Sequence, residues 1–303
     1  MLKYAIKRIL LAIVTIFIIS AITFFAMNAI PGGPFAKEKA PEPRIQAVLE
    51  ERFNLDKPVG EQFFLYLRNL VQGDFGVSLK TGREISSTIS SSFAISARLG
   101  GTAVLVALVF GLLFGSLAAL RRGGWPDRMI IFFTTLFVAV PSFILATLLL
   151  LVFSFTLGWF KVWSITDPNY TLPVISLALY PMAYITRLTK SSMLDVLGQD
   201  YIRTARAKGI SDQVVIAKHA LRNALIPVVT YVGPLTAYIL TGSLVVETVF
   251  TIGGLGTHFV TAINNRDYSM IMGTTIFLAT LMVIMTLISD LLYKAIDPRI
   301  SFD

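Results

Sequence analysis

The sequence predicts an all-α integral membrane protein that crosses the bilayer six times and carries a helical insertion between its first and second crossings. Three observations predict this. The chain is 55% hydrophobic and only 15% charged, too apolar for a soluble domain of its length. Apolar runs suited to a span of about 30 Å of hydrocarbon cover residues 9–30 and about 99–120, 129–157, 171–190, 224–246 and 270–292. Lys and Arg gather in alternate connecting segments.

The first run, 9–30, follows Lys3, Lys7 and Arg8. It is long for the apolar part of a signal peptide and lacks a small-x-small cleavage site, so it reads as a retained helix with its N-terminus inside. Residues 31–94 form the one long polar stretch and read as a small extracytoplasmic cap. Pro43 opens an expected helix through Phe53. Pro58 opens another through Gln72, with Phe63, Phe64, Leu67, Leu70 and Val71 on its apolar side. Gly73-Asp74-Phe75-Gly76 has the letters of a kinase motif, but no other kinase element is present, so it reads as a turn. Residues 95–303 hold the other five runs, and 1–303 reads as one domain. Pro141, Pro181 and Gly233-Pro234 are expected to kink their helices. Gly111 and Gly115 are spaced for close approach of a neighbouring helix.

With the N-terminus inside, the short inside segments hold Arg121, Arg122, Arg128, Arg187, Lys190, Arg203, Arg206, Lys208, Lys218, Arg222, Lys294 and Arg299. The short outside loops hold only Lys161 and Arg266. Both termini and the polar segment at about 195–223 are therefore expected in the cytoplasm. This asymmetry accounts for the net charge of +8 without nucleic acid.

Several chemistries are excluded. There is no cysteine, hence no disulfide, thiolate metal site or Cys nucleophile, and His219 and His258 are the only histidines. The cores of the runs carry no Asp, Glu, Lys, Arg or His, which argues against a proton- or ion-coupled carrier. No G-x-x-x-x-G-K-[ST] is present, so ATP hydrolysis falls to another chain if the protein pumps. No convergent acid, base or metal ligands mark an enzyme.

The basic segment from Asp200 to Pro227 reads as two short amphipathic helices broken at Gly209. Asp200 stabilises the start of the first, which carries Arg203 and Arg206; Ser211 is the expected N-cap of the second, with Asp212 in its first turn. Gly209 is free to take a left-handed conformation between them. Val214, Val215 and Leu221 are expected on one side of the second helix and Lys218 and Arg222 on another. Such a pair at a membrane surface suits docking of another protein.

The run Asp200-Tyr201-Ile202-Arg203-Thr204-Ala205-Arg206-Ala207-Lys208-Gly209, with His219-Ala220-Leu221 after it, resembles the cytoplasmic EAA coupling loop of permease subunits of binding-protein-dependent ABC importers. The resemblance is to the oligopeptide/dipeptide/nickel branch and covers essentially the whole chain. It includes Pro31-Gly32-Gly33-Pro34, Gly73-Asp74-Phe75-Gly76 with Ser78, Gly242-Ser243, Val246-Glu247-Thr248-Val249-Phe250, Gly253-Gly254-Leu255-Gly256, Asn265-Arg266-Asp267-Tyr268 and Asp297-Pro298-Arg299-Ile300. The chain has Arg203-Thr204-Ala205 where the loop's name expects Glu-Ala-Ala, and Arg222 where many families have Pro.

The resemblance implies the type I ABC importer transmembrane fold in a bacterial cytoplasmic membrane. It implies a permease subunit that translocates oligopeptides or dipeptides by alternating access; a nickel or other small-solute importer is the alternative, and an ATP-independent carrier a more distant one. The implied partners are a homologous second permease, two cytoplasmic ABC ATPase subunits, an extracytoplasmic peptide-binding protein, the peptide and membrane lipid. No cofactor is implied for this chain, with ATP and Mg used by the partner subunits. Asp200, Tyr201, Arg203, Thr204, Ala205, Ala207, Lys208, Gly209 and His219 fall in the coupling loop. Tyr180, Tyr184, Tyr231 and Tyr238 are candidates to line a peptide-accepting cavity, with interface packing as their other reading. Glu247, at the outer end of the fifth run, either faces the translocation path or sits in interfacial water.

Overall fold

The computed structural model describes residues 2–31, 33–34, 51, 53–240 and 242–296. The helix expected from Pro43 and the closing Asp297-Pro298-Arg299-Ile300 lie outside them. In chain order the helices are α1 (Leu2–Asn28), α2 (Val59–Val71), α3 (Ile85–Leu120), α4 (Trp125–Ala139), α5 (Ser142–Leu149, continued by π-helical turns Leu150–Thr156), α6 (Thr171–Leu197), α7 (Asp200–Ala207), α8 (Asp212–Val214, continued by π-helical turns Val215–Leu221), α9 (Arg222–Leu240), α10 (Leu244–Val249), α11 (Leu255–Asn265) and α12 (Tyr268–Ile296). Two compact units divide the chain, Met1–Ile95 with Gly253–Ile284, and Ser96–Ile252 with Met285–Asp303.

Among the described residues, four stretches are helical, long and apolar enough to cross a membrane: Ile6–Asn28, Ile85–Leu120, Asp212–Val249 and Tyr268–Ser289. A fifth is the pair Trp125–Ala139 and Ser142–Thr156, if its two parts form one crossing. Two of the six expected spans therefore look different. The 129–157 run does not run straight: it bends by 107° at Pro141. A proline ring forces the preceding residue out of the helical region, and Val140 is extended at φ −87°, ψ 128°. Pro181, Pro227 and Pro234 are instead carried inside α6 and α9 without a break. The 171–190 run is a long helix, α6, but Pro181, Arg187 and Lys190 dilute its apolar character.

The second span also starts earlier than its apolar run. Ile85, Ile89, Ser92, Ser96 and Leu99 are buried at helical spacing, so α3 begins within the serine-rich stretch assigned to the insertion.

In the first unit, Phe63 of α2 packs its ring against Phe24 of α1, centroids 5.2 Å apart, over a core that includes Met27, Ile89, Leu255, Met272 and Ile276. Leu67 and Leu70 join that core, but Phe64 and Val71 are exposed, against expectation. The 3.6-residue period places 64 and 71 together about a quarter-turn round the helix from 63, 67 and 70, beyond the edge of the buried face. The turn after α2 is built on Gly73 and Gly76, at φ +79° and +78°, and the Asp74 carboxylate accepts the Gly76 N–H at 2.7 Å. It leads into a narrow hairpin in which Val77 pairs with Glu84.

This hairpin is latched to the start of α12. Buried Asp267 accepts the Ser78 hydroxyl, the Leu79 N–H at 3.1 Å and, as the cap of its own helix, the Met270 N–H at 3.3 Å. Two sequence motifs far apart in the chain thus meet at one carboxylate. Asp267→Ala strands three buried or half-buried donors and should lower stability by about 1–3 kcal/mol per unsatisfied group lost from the latch. A drop in melting temperature of the detergent-purified protein, smaller for Asp267→Asn, checks this.

In the second unit, α3, α6 and α9 share a core of small and branched residues: Ala103, Ala107, Ala178, Ile185 and Val228. Gly111 and Gly115 bring α3 onto α6. A Cβ on Gly111 would stand 2.6 Å from Ile185 Cγ2, and one on Gly115 2.5 Å from Thr189 Cβ. The expected close approach is therefore found, and α6 is the partner.

Candidate functional site

Helix α7 begins at Asp200, whose carboxylate lies at the positive end of the helix, 3.5 Å from Arg203. The Thr204 hydroxyl donates to the Asp200 carbonyl at 3.0 Å. Ile202 and Ala205, three apart, are buried beneath the helix. Tyr201, Arg203, Thr204, Ala207 and Lys208 remain exposed on the other side.

The helix ends as its glycine demands. Gly209 takes φ +75°, its N–H donates to the Arg206 carbonyl at 2.9 Å, and the Ile210 N–H reaches back to the Ala205 carbonyl at 3.3 Å. This is a Schellman closure, which satisfies the last carbonyls of α7 and turns the chain. Ile210 then packs into the cluster below. Ser211 is the N-cap of α8 through its backbone, the Val215 N–H donating to its carbonyl at 3.0 Å; its side chain makes no capping bond. Arg206 bridges the break to Asp212 at 3.1 Å.

The turns from Val215 to Leu221 are wider than α-helical. They bury Val215 and Ala220, leave His219 half-buried, and put Val214 on the outside, away from the side expected for it. Asn223 donates to the Tyr201 hydroxyl at 2.9 Å and to the His219 carbonyl at 3.0 Å, fixing the two helices to each other. Beneath them, Ala119 of α3, Met193 of α6, Ile202, Ala205, Val215, Ala220 and Ala224 of α9 form one cluster. The segment is thus a tied-down pair of helices standing on the ends of α3, α6 and α9.

The site residues divide accordingly. Asp200, Tyr201, Arg203, Thr204, Ala207, Lys208 and Gly209 share the open surface. Ala205 does not, because it supports the surface from below. Ile202 and Asn223 complete the site although no sequence motif names them; the three-residue spacing of 202 and 205 and the four-residue spacing of 219 and 223 are their signals in the sequence.

The tyrosines are partly assembled. Tyr184 of α6 and Tyr231 of α9 stack with centroids 4.3 Å apart and planes 29° off parallel. Tyr180 lies one turn from Tyr184 and is 49% exposed, making these three one aromatic patch. Tyr238 stands two turns further along α9 and is 68% exposed. Glu247 is on neither an open surface nor an aqueous interface. It is fully buried on α10, where the Ser96 hydroxyl donates to its Oε1 at 2.7 Å. The chain turns at Gly242, φ +98°, and Ser243 caps α10, which rotates Glu247 inward against the start of the second unit's α3 segment. A separate cavity of about 280 Å³ lies in the first unit, lined among others by Phe24, Gln62, Tyr66, Asn69, Asp74 and Tyr268.

Comparison with known proteins agrees along the whole chain. Residues 111–302 match the family described as "Binding-protein-dependent transport system inner membrane component", and residues 1–100 match its N-terminal companion, "Binding-prot-dependent transport system membrane comp, N-term". The chain is 45% identical over 302 residues to the dipeptide transport system permease protein DppB of Bacillus subtilis, covering 99% of this chain and 98% of that one. It is 43% identical over 306 residues to the oligopeptide transport system permease protein OppB of Haemophilus influenzae, covering both in full. Among solved structures it is similar to an inward-facing MetNI methionine ABC transporter, with TM-score 0.55 and 16% identity over 70% of this chain and 97% of that one. An amino acid ABC transporter matches with TM-score 0.53 and 17% identity over 71% and 95%. These two show the fold alone, the transmembrane fold of ABC importers. The chain belongs to the family of inner-membrane components of binding-protein-dependent transport systems, in its oligopeptide/dipeptide permease branch.

Proposed function

We propose that this multi-pass membrane protein is one of two homologous permease subunits of an ATP-driven importer of oligopeptides or dipeptides. The full-length similarity to dipeptide and oligopeptide permeases supports peptide rather than nickel as cargo. The observation that carries the mechanism is the pair α7–α8: a polar, basic surface on a buried cluster that joins the ends of three long helices. A nucleotide-driven push on Tyr201, Arg203, Thr204 and Lys208 would be delivered through Ile202, Ala205 and Val215 to α3, α6 and α9. With both termini and this surface in the cytoplasm, two ABC ATPase subunits supply the push and consume ATP and Mg. An extracytoplasmic binding protein delivers peptide to the other side, and this chain holds no cofactor. The Tyr180–Tyr184–Tyr231 patch is the part of the path this chain offers, with ring faces and hydroxyls suited to peptide groups.

Isolation of the chain from its native membrane in mild detergent, with intact-complex mass spectrometry, tests this. The expected particle holds this chain, a second permease and two ATPases. Recovery of this chain alone or as a self-dimer, under conditions that preserve a known ABC complex, would refute it.

A further inference from the structure

Arg187 and Lys190 are more than topogenic charges near the end of a span. Both reach from α6 to α4. Arg187 Nη2 donates to Thr135 Oγ1 at 2.6 Å, and Lys190 Nζ meets Asp127 Oδ1 at 2.5 Å. The two cations are three residues apart on one face of α6, and their acceptors are two helical turns apart on α4. The Lys190–Asp127 pair is withdrawn from water, its side chains 19% and 9% exposed. The other carboxylate oxygen of Asp127 accepts the Gly123 N–H at 2.9 Å, so both oxygens are used and the carboxylate cannot swing. On α3, Gly111 and Gly115 hold the same stretch of α6 at Ile185 and Thr189. Only Gly198 and Gln199 separate α6 from α7, and both ends of that link are hydrogen-bonded: Gln199 N–H to the Val196 carbonyl at 3.0 Å and Ile202 N–H to the Gln199 carbonyl at 3.1 Å. Displacement of α7 therefore displaces the end of α6.

A partly buried ion pair contributes little net stability, because desolvation offsets most of its Coulomb gain. What it does supply is a directional, fixed-register link. We propose that Lys190–Asp127, seconded by Arg187–Thr135, is a clamp that makes α4 travel with the end of α6 when the α7–α8 surface moves, carrying the motion into the bent α4–α5 pair. The proposal rests on the reading of α7–α8 as the coupling surface. These are positioning residues; they touch no substrate.

The chain has no cysteine, so Asp127→Cys with Lys190→Cys can be joined by a short bifunctional thiol reagent in the assembled importer. The unsubstituted complex treated with the same reagent is the control. The readout is peptide imported per ATP hydrolysed in proteoliposomes, with subunit stoichiometry checked by mass. The unjoined cysteine pair, and Lys190→Met, should lose about tenfold in that ratio while retaining ATP hydrolysis, within the range by which residues along a coupling network change the coupling. Joining the cysteines should restore import, and Lys190→Arg should keep it. Abolition of import on joining would mean that the contact must open during the cycle, and would overturn the clamp. Wild-type import per ATP by Lys190→Met would overturn it as well, and the Met and Arg variants decide the matter if the cysteine pair does not assemble. Import by the unsubstituted complex without ATP hydrolysis would instead remove the coupling reading beneath the clamp, and the clamp with it.

Discussion

Gly209→Val should reduce peptide import by at least about tenfold while leaving membrane insertion and the amount of folded protein unchanged, because a left-handed backbone costs a non-glycine residue roughly 1–2 kcal/mol. The reason is conformational and not steric. A Cβ at Gly209 meets nothing within 4 Å, so no neighbour resists the new side chain. The φ of +75° does resist it, and the β-branched residue resists it most. Relaxing that strain means giving up the Schellman bonds to Arg206 and Ala205 and the Arg206–Asp212 bridge across the turn. The Tyr201 hydroxyl and the His219 carbonyl would then no longer be held together through Asn223. The discriminating variants are Gly209→Asn and Gly209→Ala. Asn accepts the left-handed region, so it should import nearly as the wild type does; Ala should fall between. Equal import by the Val and Asn variants would show that the turn conformation is irrelevant to coupling. Equal loss in both would point to a partner pressed against the glycine itself.

The break at Gly209 could be read from the sequence because glycine is a local signal: it states a backbone conformation without reference to any distant residue. The same holds for the turn at Gly73 and Gly76 and for Ser211 as a helix start. Ala205 belongs to the coupling loop, and its burial beneath that loop follows from its three-residue spacing to Ile202, which is again a local signal. Other features could not be read locally. Pro141 and Pro181 look alike in sequence, yet one breaks its helix by 107° and the other is carried within α6. The difference lies in whether surrounding packing keeps the preceding residue helical, and no neighbouring residue states that. Glu247 is the clearest case. Its place at a span end admits two solvated readings, but its partner is Ser96, 151 residues away, and only the fold brings them together. Arg187 and Lys190 fit the charge bias of an inside segment, and that local reason says nothing of their partners Thr135 and Asp127 on α4.

The small-residue spacing in α3 predicts the largest effect on stability. Gly115→Ala should be severe and Gly115→Leu should remove folded protein from the membrane. A Cβ at this position would stand 2.5 Å from Thr189 Cβ and 2.6 Å from the Thr186 carbonyl oxygen. Neither atom is the movable end of a flexible side chain, so the two helices must separate. Overpacking of this kind costs about 1–3 kcal/mol for a single methyl and more for a branched side chain. Separation would also pull Ala103 and Ala107 away from Ala178 and Ile185, whose contact depends on the same helix approach. Thr189→Ala should not rescue Gly115→Ala, since the clash is with Cβ; Thr189→Gly should rescue it in part, with the Thr186 carbonyl still in the way. Gly101→Ala, on the same helix, is the control: a Cβ there meets nothing within 4 Å, and alanine favours the helix over glycine by up to about 1 kcal/mol. Thermal unfolding of the purified variants checks the series. Melting of Gly115→Ala at the temperature of Gly101→Ala would mean that α3 and α6 do not approach this closely in the membrane. The clamp on α6 would then lack the rigid support on its α3 side that lets it act.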